Sequence, residues 1–446
     1  MKQLLSDIGS LYCCATDKLY ESQEIWELTQ KKAHAYQIQA ISGLKVSLIA
    51  TADIHFVTSF LALLSQDCSV LLLATDLLET EKNLLNQEFM SSFIIEASHL
   101  TDLFLRTKSH SAEFCLSTSG TTGRPKIINC TINDLRKKID FLSNSIAAEE
   151  IAVSASVLSL SFGHGLIGTL LFPLLTGQRV ILIGPGLERL LQCGEILNRH
   201  QVSFISATPH SYRLICRSAV KVKTLKRVQS ASSSFEGDFL PLLASFAPNA
   251  QLYNAYGLSE FYSWISFRQL LPTSLPNLIH LPPDSILLDE IQGINNQEGC
   301  LYIKATPHLT YWQGINDVME WKNEKYLGTG DIIKMGPEGY QLHSRKDDRI
   351  EINAIKFYPQ EIEDFYKKHL HRNELYFVHL KELKLNTLII KGSKEQNLDE
   401  RITQLAQQLA GIKRPQRIIY LEEIPHTKRG KISRKELERL CLTMIK

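Results

Sequence analysis

Net charge is nearly missing from this chain of 446 residues: 49 lysines and arginines stand against 47 aspartates and glutamates, leaving +2. Without a basic stripe, the electrostatic footprint that nucleic acid demands is absent. The short clusters Lys221–Arg227 and Lys413–Arg417 read as solvated faces or local phosphate contacts. Cysteine pairing is missing too. The nine cysteines are odd in number, with Cys13 and Cys14 adjacent and no Cys-x-x-Cys spacing. This pattern suggests neither a disulfide framework nor a zinc site, and it makes a reducing cytoplasm the expected setting. The N-terminal stretch carries Asp7 and no sustained apolar segment, unlike a signal peptide. The longest apolar stretches, Val70–Ala74 and Leu166–Leu175, are too short for a bilayer span or are broken by Pro173. Internal repeats and low-complexity tracts are also absent. What remains is the expectation of a soluble, intracellular protein with no nucleic-acid partner and no membrane span.

What is present is a globular balance of 44% hydrophobic and 22% charged residues, at a length that favours two or three domains. Ser69–Leu73, Ile151–Ser156, Arg179–Ile183 and Val202–Ser206 read as buried strands. Thr131–Ile146 and Leu187–His200 read as helices between them. Such alternation predicts an α/β fold with largely parallel sheets. Pro272, Pro276, Pro282 and Pro283 break the rhythm, and the strand-like runs Gly299–Lys304, Ile332–Met335 and Tyr340–His343 follow as a β subdomain. A charged boundary near Arg345–Asp348 precedes a smaller α+β unit. Its strands are expected at Leu375–Leu380, Asn386–Lys391 and Gln416–Leu421, and its helices at Asp399–Ala410 and Lys435–Leu442.

The most informative stretch is STSGTTGRPK, which holds Ser117, Thr118, Ser119, Gly120, Thr121, Thr122, Gly123 and Lys126. Two glycines permit close backbone approach, hydroxyls can replace water around phosphate oxygens, and Lys126 adds a cation. The spacing is not that of a Walker A loop, because Arg-Pro-Lys follows Gly123. From composition alone, a phosphate cradle and a polar surface loop are equally good readings.

The decision comes from resemblance. STSGTTGRPK resembles the phosphate loop of the adenylate-forming superfamily, which includes acyl- and aryl-CoA synthetases, luciferase and nonribosomal peptide synthetase adenylation domains. Further similar segments follow in order, so the resemblance covers roughly Phe114 to Lys435. SFGHGL (161–166) is similar to the segment that places an aromatic residue or His at the acyl pocket, with Phe162 and His164 both eligible. The segment Phe204–Tyr212 resembles a strand and turn lining the same pocket. The loop of Ser230, Ala231 and Ser232 stands where the family has its adenine-pocket loop. NAYGLSE, with Asn254, Ala255, Tyr256, Gly257, Ser259 and Glu260, resembles YGxTE. Tyr256 would offer a ring face to adenine, Gly257 would allow close backbone approach, and Glu260 would ligate Mg²⁺. Asp331 of TGD matches the ribose-binding Asp, and Arg345 matches a ribose or phosphate contact. Asp347 matches the hinge residue. Lys431, in PHTKRGKISR, matches the catalytic lysine of adenylation, whose ammonium bridges carboxylate and α-phosphate. One departure stands out: in IEINAIKFYPQEIE, Ala354 replaces a glycine where the pantetheine arm reaches the adenylate.

The resemblance implies a large N-terminal α/β domain with a β subdomain, over 1–346. A small mobile α+β C-terminal lid, over 347–446, would carry Lys431. The phosphate loop begins at Ser117, earlier than in many members of that family, so an abbreviated N-terminal region is expected. The implied activity is ATP- and Mg²⁺-dependent conversion of a small carboxylic acid to an acyl-adenylate, with transfer to the thiol of CoA or of a carrier-protein phosphopantetheine. The alternatives are an acyl-AMP ligase without CoA transfer and a catalytically silent nucleotide- or acyl-binding protein on the same fold.

Overall fold

Runs of β-branched and leucine side chains that are buried on both faces set the layout. Ser69–Leu73 and Phe204–Ala207 are buried along their whole length, as strands inside a helix-covered parallel sheet must be. The computed structural model describes residues 8–97, 99–119, 125–146, 151–233, 235, 238–289, 293–294, 297–304, 317–348, 350–352, 355–395, 397–425 and 432–445. These residues divide into two compact units, Met1–Ser285 with Tyr302–Thr329, and Ile286–Leu301 with Gly330–Lys446.

The first unit holds two sheets. Its strands in chain order are β1 (Leu11–Cys13), β2 (Lys18–Tyr20), β3 (Lys45–Ile49), β4 (Ser69–Leu73), β5 (Phe93–Glu96), β6 (His99–Asp102) and β7 (Glu113–Ser119). They continue with β8 (Pro125–Thr131), β9 (Val153–Ser156), β10 (Arg179–Leu182), β11 (Phe204–Ala207), β12 (Arg227–Ala231), β13 (Gln251–Leu258) and β14 (Ser263–Leu270). One sheet runs β6-β5-β3-β4-β7-β8 and the other β14-β13-β12-β11-β9-β10-β1-β2. Both have parallel centres and antiparallel hairpins at their edges: β5–β6 and β7–β8 in one, β13–β14 and β1–β2 in the other.

Alternation along the strands divides the interior. On β10, Val180 and Leu182 point into one core with the helices Ile54–Ser65 and Ile132–Ile146. Ile181 enters a second core on the opposite face of that sheet, with Leu190, Leu197, Leu240 and Leu243. The helix Ile132–Ile146 buries Leu135, Lys138, Ile139, Leu142 and Ile146, the three-and-four spacing of an amphipathic helix with one unexpected cation. The expected helix Leu187–His200 is interrupted at Gln192 into Leu187–Leu191 and Cys193–Arg199. Gly194 sits there against Val220, where a Cβ would come within 2.9 Å. The apolar run Leu166–Leu175 belongs to a π-helix, His164–Leu171, followed by one α-turn. In it Phe172 N–H bonds back to Ile167 O, five residues earlier, and Pro173 cannot donate at all.

The second unit contains a three-stranded sheet, Leu375–Leu380 antiparallel to Leu385–Lys391, which runs parallel to Arg417–Leu421. The helices Pro359–Leu370, Leu398–Ala406 and Arg434–Ile445 accompany it. The expected helix over Asp399–Ala410 therefore ends four residues early. A hairpin pairs the end of Glu324–Gly336 with Gly339–Arg345. Among the described residues no helix is long and apolar enough to cross a membrane.

Candidate active site

Ser117, Thr118, Ser119 and Lys126 stand on the facing strands of the β7–β8 hairpin, with Ser117 opposite Ile127, Thr118 opposite Lys126 and Ser119 opposite Pro125. The connecting residues Gly120, Thr121, Thr122 and Gly123 lie outside the described residues. The described residues of the hydroxyl-rich motif therefore lie at the ends of two paired strands. Its first strand is bonded to β4 in the middle of the sheet.

The NAYGLSE segment ends β13. Asn254, Ala255 and Tyr256 are buried within it, and Asn254 Nδ2 donates to Leu278 O at 2.9 Å. At Tyr256 and Gly257 the pairing with β14 shifts register in a bulge. The close backbone approach expected at Gly257 is made by the chain itself: a Cβ there would fall 2.2 Å from Ser263 O. Ser259 and Glu260 follow in a single 3₁₀ turn, closed by Tyr262 and Ser263 at φ of 58° and 101°. Left-handed backbone at non-glycine residues costs about 1–3 kcal/mol each and tends to mark functional segments. The Tyr262 hydroxyl helps hold the turn by donating to Asn129 O at 3.0 Å. Glu260 is half-buried, and no cation pairs with it among the described residues. Its carboxylate is the hard oxygen donor that Mg²⁺ prefers, so the residue fits the metal role.

His164 opens the π-helix. It is buried, with Nδ1 2.8 Å from Ser232 Oγ and Nε2 2.9 Å from Ser206 Oγ, and its ring meets Trp264 edge-on at 5.0 Å. Burial pushes its pKa down to about 3, so the imidazole is neutral at ordinary pH. Phe162, two residues earlier, is half-buried. Ser230 and Ala231 end β12 and are buried, and the Ser230 hydroxyl has no hydrogen-bond partner among the described residues. The structure thus joins His164 of the expected acyl-pocket segment directly to Ser232 of the expected adenine loop. Ser206, Gln229, Arg227 and Trp264 surround this junction; Ser206 lies in the expected pocket segment Phe204–Tyr212, Arg227 is buried rather than on the solvated face read for Lys221–Arg227, and Gln229 and Trp264 were not singled out. The only available signal was polar side chains at alternate positions of otherwise apolar strands.

In the second unit Asp331 and Arg345 face each other across the hairpin and form an ion pair of 3.1 Å. The Asp331 side chain is 6% exposed and that of Arg345 48%. Asp347 lies in the one-turn 3₁₀ helix Lys346–Asp348 that follows. Ala354 and Lys431 lie outside the described residues. Arg434, at the end of the lysine-bearing motif, pairs with buried Glu363 at 2.7 Å and donates to Phe377 O at 3.1 Å. Glu363 also accepts from Phe377 N–H at 2.9 Å. Two stretches recognised separately in the sequence are thus tied together by one ion pair.

Residues 106–303 match the model of the family described as AMP-binding enzyme. The chain is 23% identical over 335 residues to the 2-succinylbenzoate–CoA ligase of Staphylococcus aureus, covering 72% of this chain and 66% of that ligase, just under two thirds. It is 25% identical over 409 residues to a plipastatin synthase chain of Bacillus subtilis, covering 86% of this chain and 16% of that synthase chain. Among solved structures, O-succinylbenzoate coenzyme A synthetase from Bacillus subtilis, in complex with ATP and magnesium ion, superimposes with a TM-score of 0.78. Identity to it is 18%, with 98% of each chain covered, a likeness of fold. The match to the AMP-binding enzyme model over residues 106–303 and the likeness of fold along nearly the whole chain agree with each other.

Proposed function

We propose that this chain activates a carboxylic acid with ATP, forming an acyl-adenylate and pyrophosphate, and then passes the acyl group to the thiol of CoA or of a carrier-protein phosphopantetheine. The observation that carries this reading is the family match over 106–303, which takes in both the hydroxyl-rich motif and the carboxylate of Glu260, unpaired among the described residues. In the first step a carboxylate oxygen attacks the α-phosphorus and pyrophosphate leaves. The protein's share is to position the reactants and neutralise charge. The Ser117–Lys126 motif is assigned the phosphates, and Ser230, Ala231, Ser232, Asn254, Ala255, Tyr256, Gly257 and Ser259 the adenine side. Asp331 and Arg345 are assigned the ribose, and Lys431 the transition-state charge. Glu260 would hold Mg²⁺, which when bound offsets triphosphate charge.

In this reading a domain over 347–446 turns about Asp347 after adenylation, and Lys431 leaves as the thiol approaches. Ala354 is assigned to the thiol path. The CoA acceptor is suggested by relatives named as CoA ligases, and a carrier-protein acceptor by the plipastatin synthase relative. The test is exchange of labelled pyrophosphate into ATP, with Mg²⁺, across panels of fatty, aryl and amino acids. Acid-dependent exchange is expected. Folded protein that binds ATP and shows no exchange with any acid would leave a silent binder.

A further inference from the structure

Five side chains of the first unit make one unbroken hydrogen-bonded chain. Arg227 Nη2 is 3.0 Å from Gln229 Oε1, and Gln229 Nε2 is 3.3 Å from Ser206 Oγ. Ser206 Oγ is 2.9 Å from His164 Nε2, and His164 Nδ1 is 2.8 Å from Ser232 Oγ. Arg227, Gln229, Ser206 and His164 are all buried. Hydroxyls and imidazoles can point either way along such a chain, but a guanidinium only donates. Arg227 therefore turns the Gln229 oxygen toward itself and the amide nitrogen toward Ser206. Ser206 accepts that N–H and has a single proton left to give, which goes to His164 Nε2. A neutral imidazole that accepts at Nε2 carries its proton on Nδ1, so it donates to Ser232 Oγ.

The Ser232 proton is then left over, with no acceptor for it among the described residues. The Ser232 backbone is held at a φ of 76°, a costly conformation for a residue with a Cβ. Arg227 itself lies over the Tyr253 ring at 3.6 Å and near Phe267 at 5.3 Å. No carboxylate pairs with it among the described residues, so nothing competes for its fixed direction.

We propose that Arg227 sets the direction of a one-way chain through Gln229, Ser206 and His164, which holds His164 as its Nδ1-protonated tautomer and makes the Ser232 hydroxyl an outward donor to an anionic oxygen of the ligand. Arg227, Gln229 and Ser206 are positioning residues. The anionic oxygen belongs to the acid's carboxylate or to the nucleotide's phosphate. The choice of that ligand rests on the adenylate-forming reading, whereas the tautomer does not.

Nitrogen-15 NMR reads the tautomer directly, with His164 assigned by the signals lost in His164→Asn. The wild type should show a protonated Nδ1. Gln229→Glu, equal in size but accepting from both Arg227 and Ser206, should reverse the chain and move the proton to Nε2. Arg227→Lys keeps a donor and should leave the tautomer as in wild type. A wild-type proton on Nε2, or a tautomer indifferent to Gln229→Glu, overturns the proposal. Should Gln229→Glu fail to fold, the wild-type spectrum decides alone. For the outward donor, AMP and benzoate are each titrated into wild type and Ser232→Ala. A loss of about threefold or more for one of them is expected, and the probe affected identifies the oxygen. Unchanged affinity for both overturns the outward donor. Failure of wild type to bind either probe removes the donor's ligand and the adenylate-forming reading together, while the tautomer result stands by itself.

Discussion

Lys138 is a charged group that none of the proposed chemistry uses. It is fully buried on the helix Ile132–Ile146, donates to Trp264 O, and lies 5.0 Å from the Phe141 ring. Burial pushes its pKa down to about 7, against the opposing influence of nearby Cys130. An unfolded lysine titrates near 10.4, so between about pH 7 and 10 the unfolded chain holds a proton that the folded chain does not. Stability attributable to this residue therefore rises with pH across that window, and the burial penalty is fully present below pH 7. Lys138→Met, which keeps most of the volume without the charge, should stabilise the protein at pH 7 by about 1–4 kcal/mol and flatten the rise. Urea unfolding midpoints at pH 7 and 9.5 check this, and a variant whose pH slope matches wild type would show that the lysine is not the source. Sequence reading could not reach this residue, because a lysine on a helix is by default solvated.

Elements were legible where their physics is local. Leu375–Leu380 reads as a strand and is one, to the residue. The helix read over Thr131–Ile146 differs by one residue, because its polar and apolar faces declare the period. The π-helix was not legible, since Leu166–Leu175 is apolar but for Thr169 and carries no period to read. Its geometry depends on a distant partner. A Cβ at Gly168 would lie 2.6 Å from Trp264 Cη2, and that ring is buried. Gly168→Ala should cost about 1–3 kcal/mol and alter the near-UV circular dichroism of Trp264; an unperturbed spectrum at wild-type stability would contradict the packing.

The same limit applies to Arg434 and Glu363, which lie too far apart in sequence for a motif to announce the contact. Arg434→Met leaves the Glu363 carboxylate buried and uncompensated, at a cost of about 3–5 kcal/mol. Hydrogen exchange should then quicken across Leu375–Lys391, where Glu363 accepts from Phe377. Wild-type protection there would mean that the pair carries no structural load.

At the scale of the whole molecule, the α/β class and the likeness to AMP-binding enzymes were readable because motifs resembling those of adenylate-forming enzymes occur in order along one chain. The site was readable only as a set of separate motifs. The hairpin motif, the β13–β14 turn with Glu260 and the His164 network belong to the first unit, and the Asp331–Arg345 pair belongs to the second. No local pattern announces that Gly257 is filled by its own neighbouring strand, or that the expected acyl-pocket and adenine-loop motifs meet through a hydrogen bond between His164 and Ser232.

What unites these parts is the claim that the acid's own oxygen attacks the α-phosphorus of ATP. Oxygen-18 transfer tests it most directly. An acid active in the exchange panel, labelled in its carboxylate, is turned over with ATP and a thiol, and the nucleotide product is weighed by mass spectrometry. Cleavage of the acyl–oxygen bond of an adenylate leaves the bridging oxygen on the nucleotide, so AMP carrying one oxygen-18 atom is predicted. Unlabelled AMP, or ADP with the label in inorganic phosphate, would contradict adenylate formation.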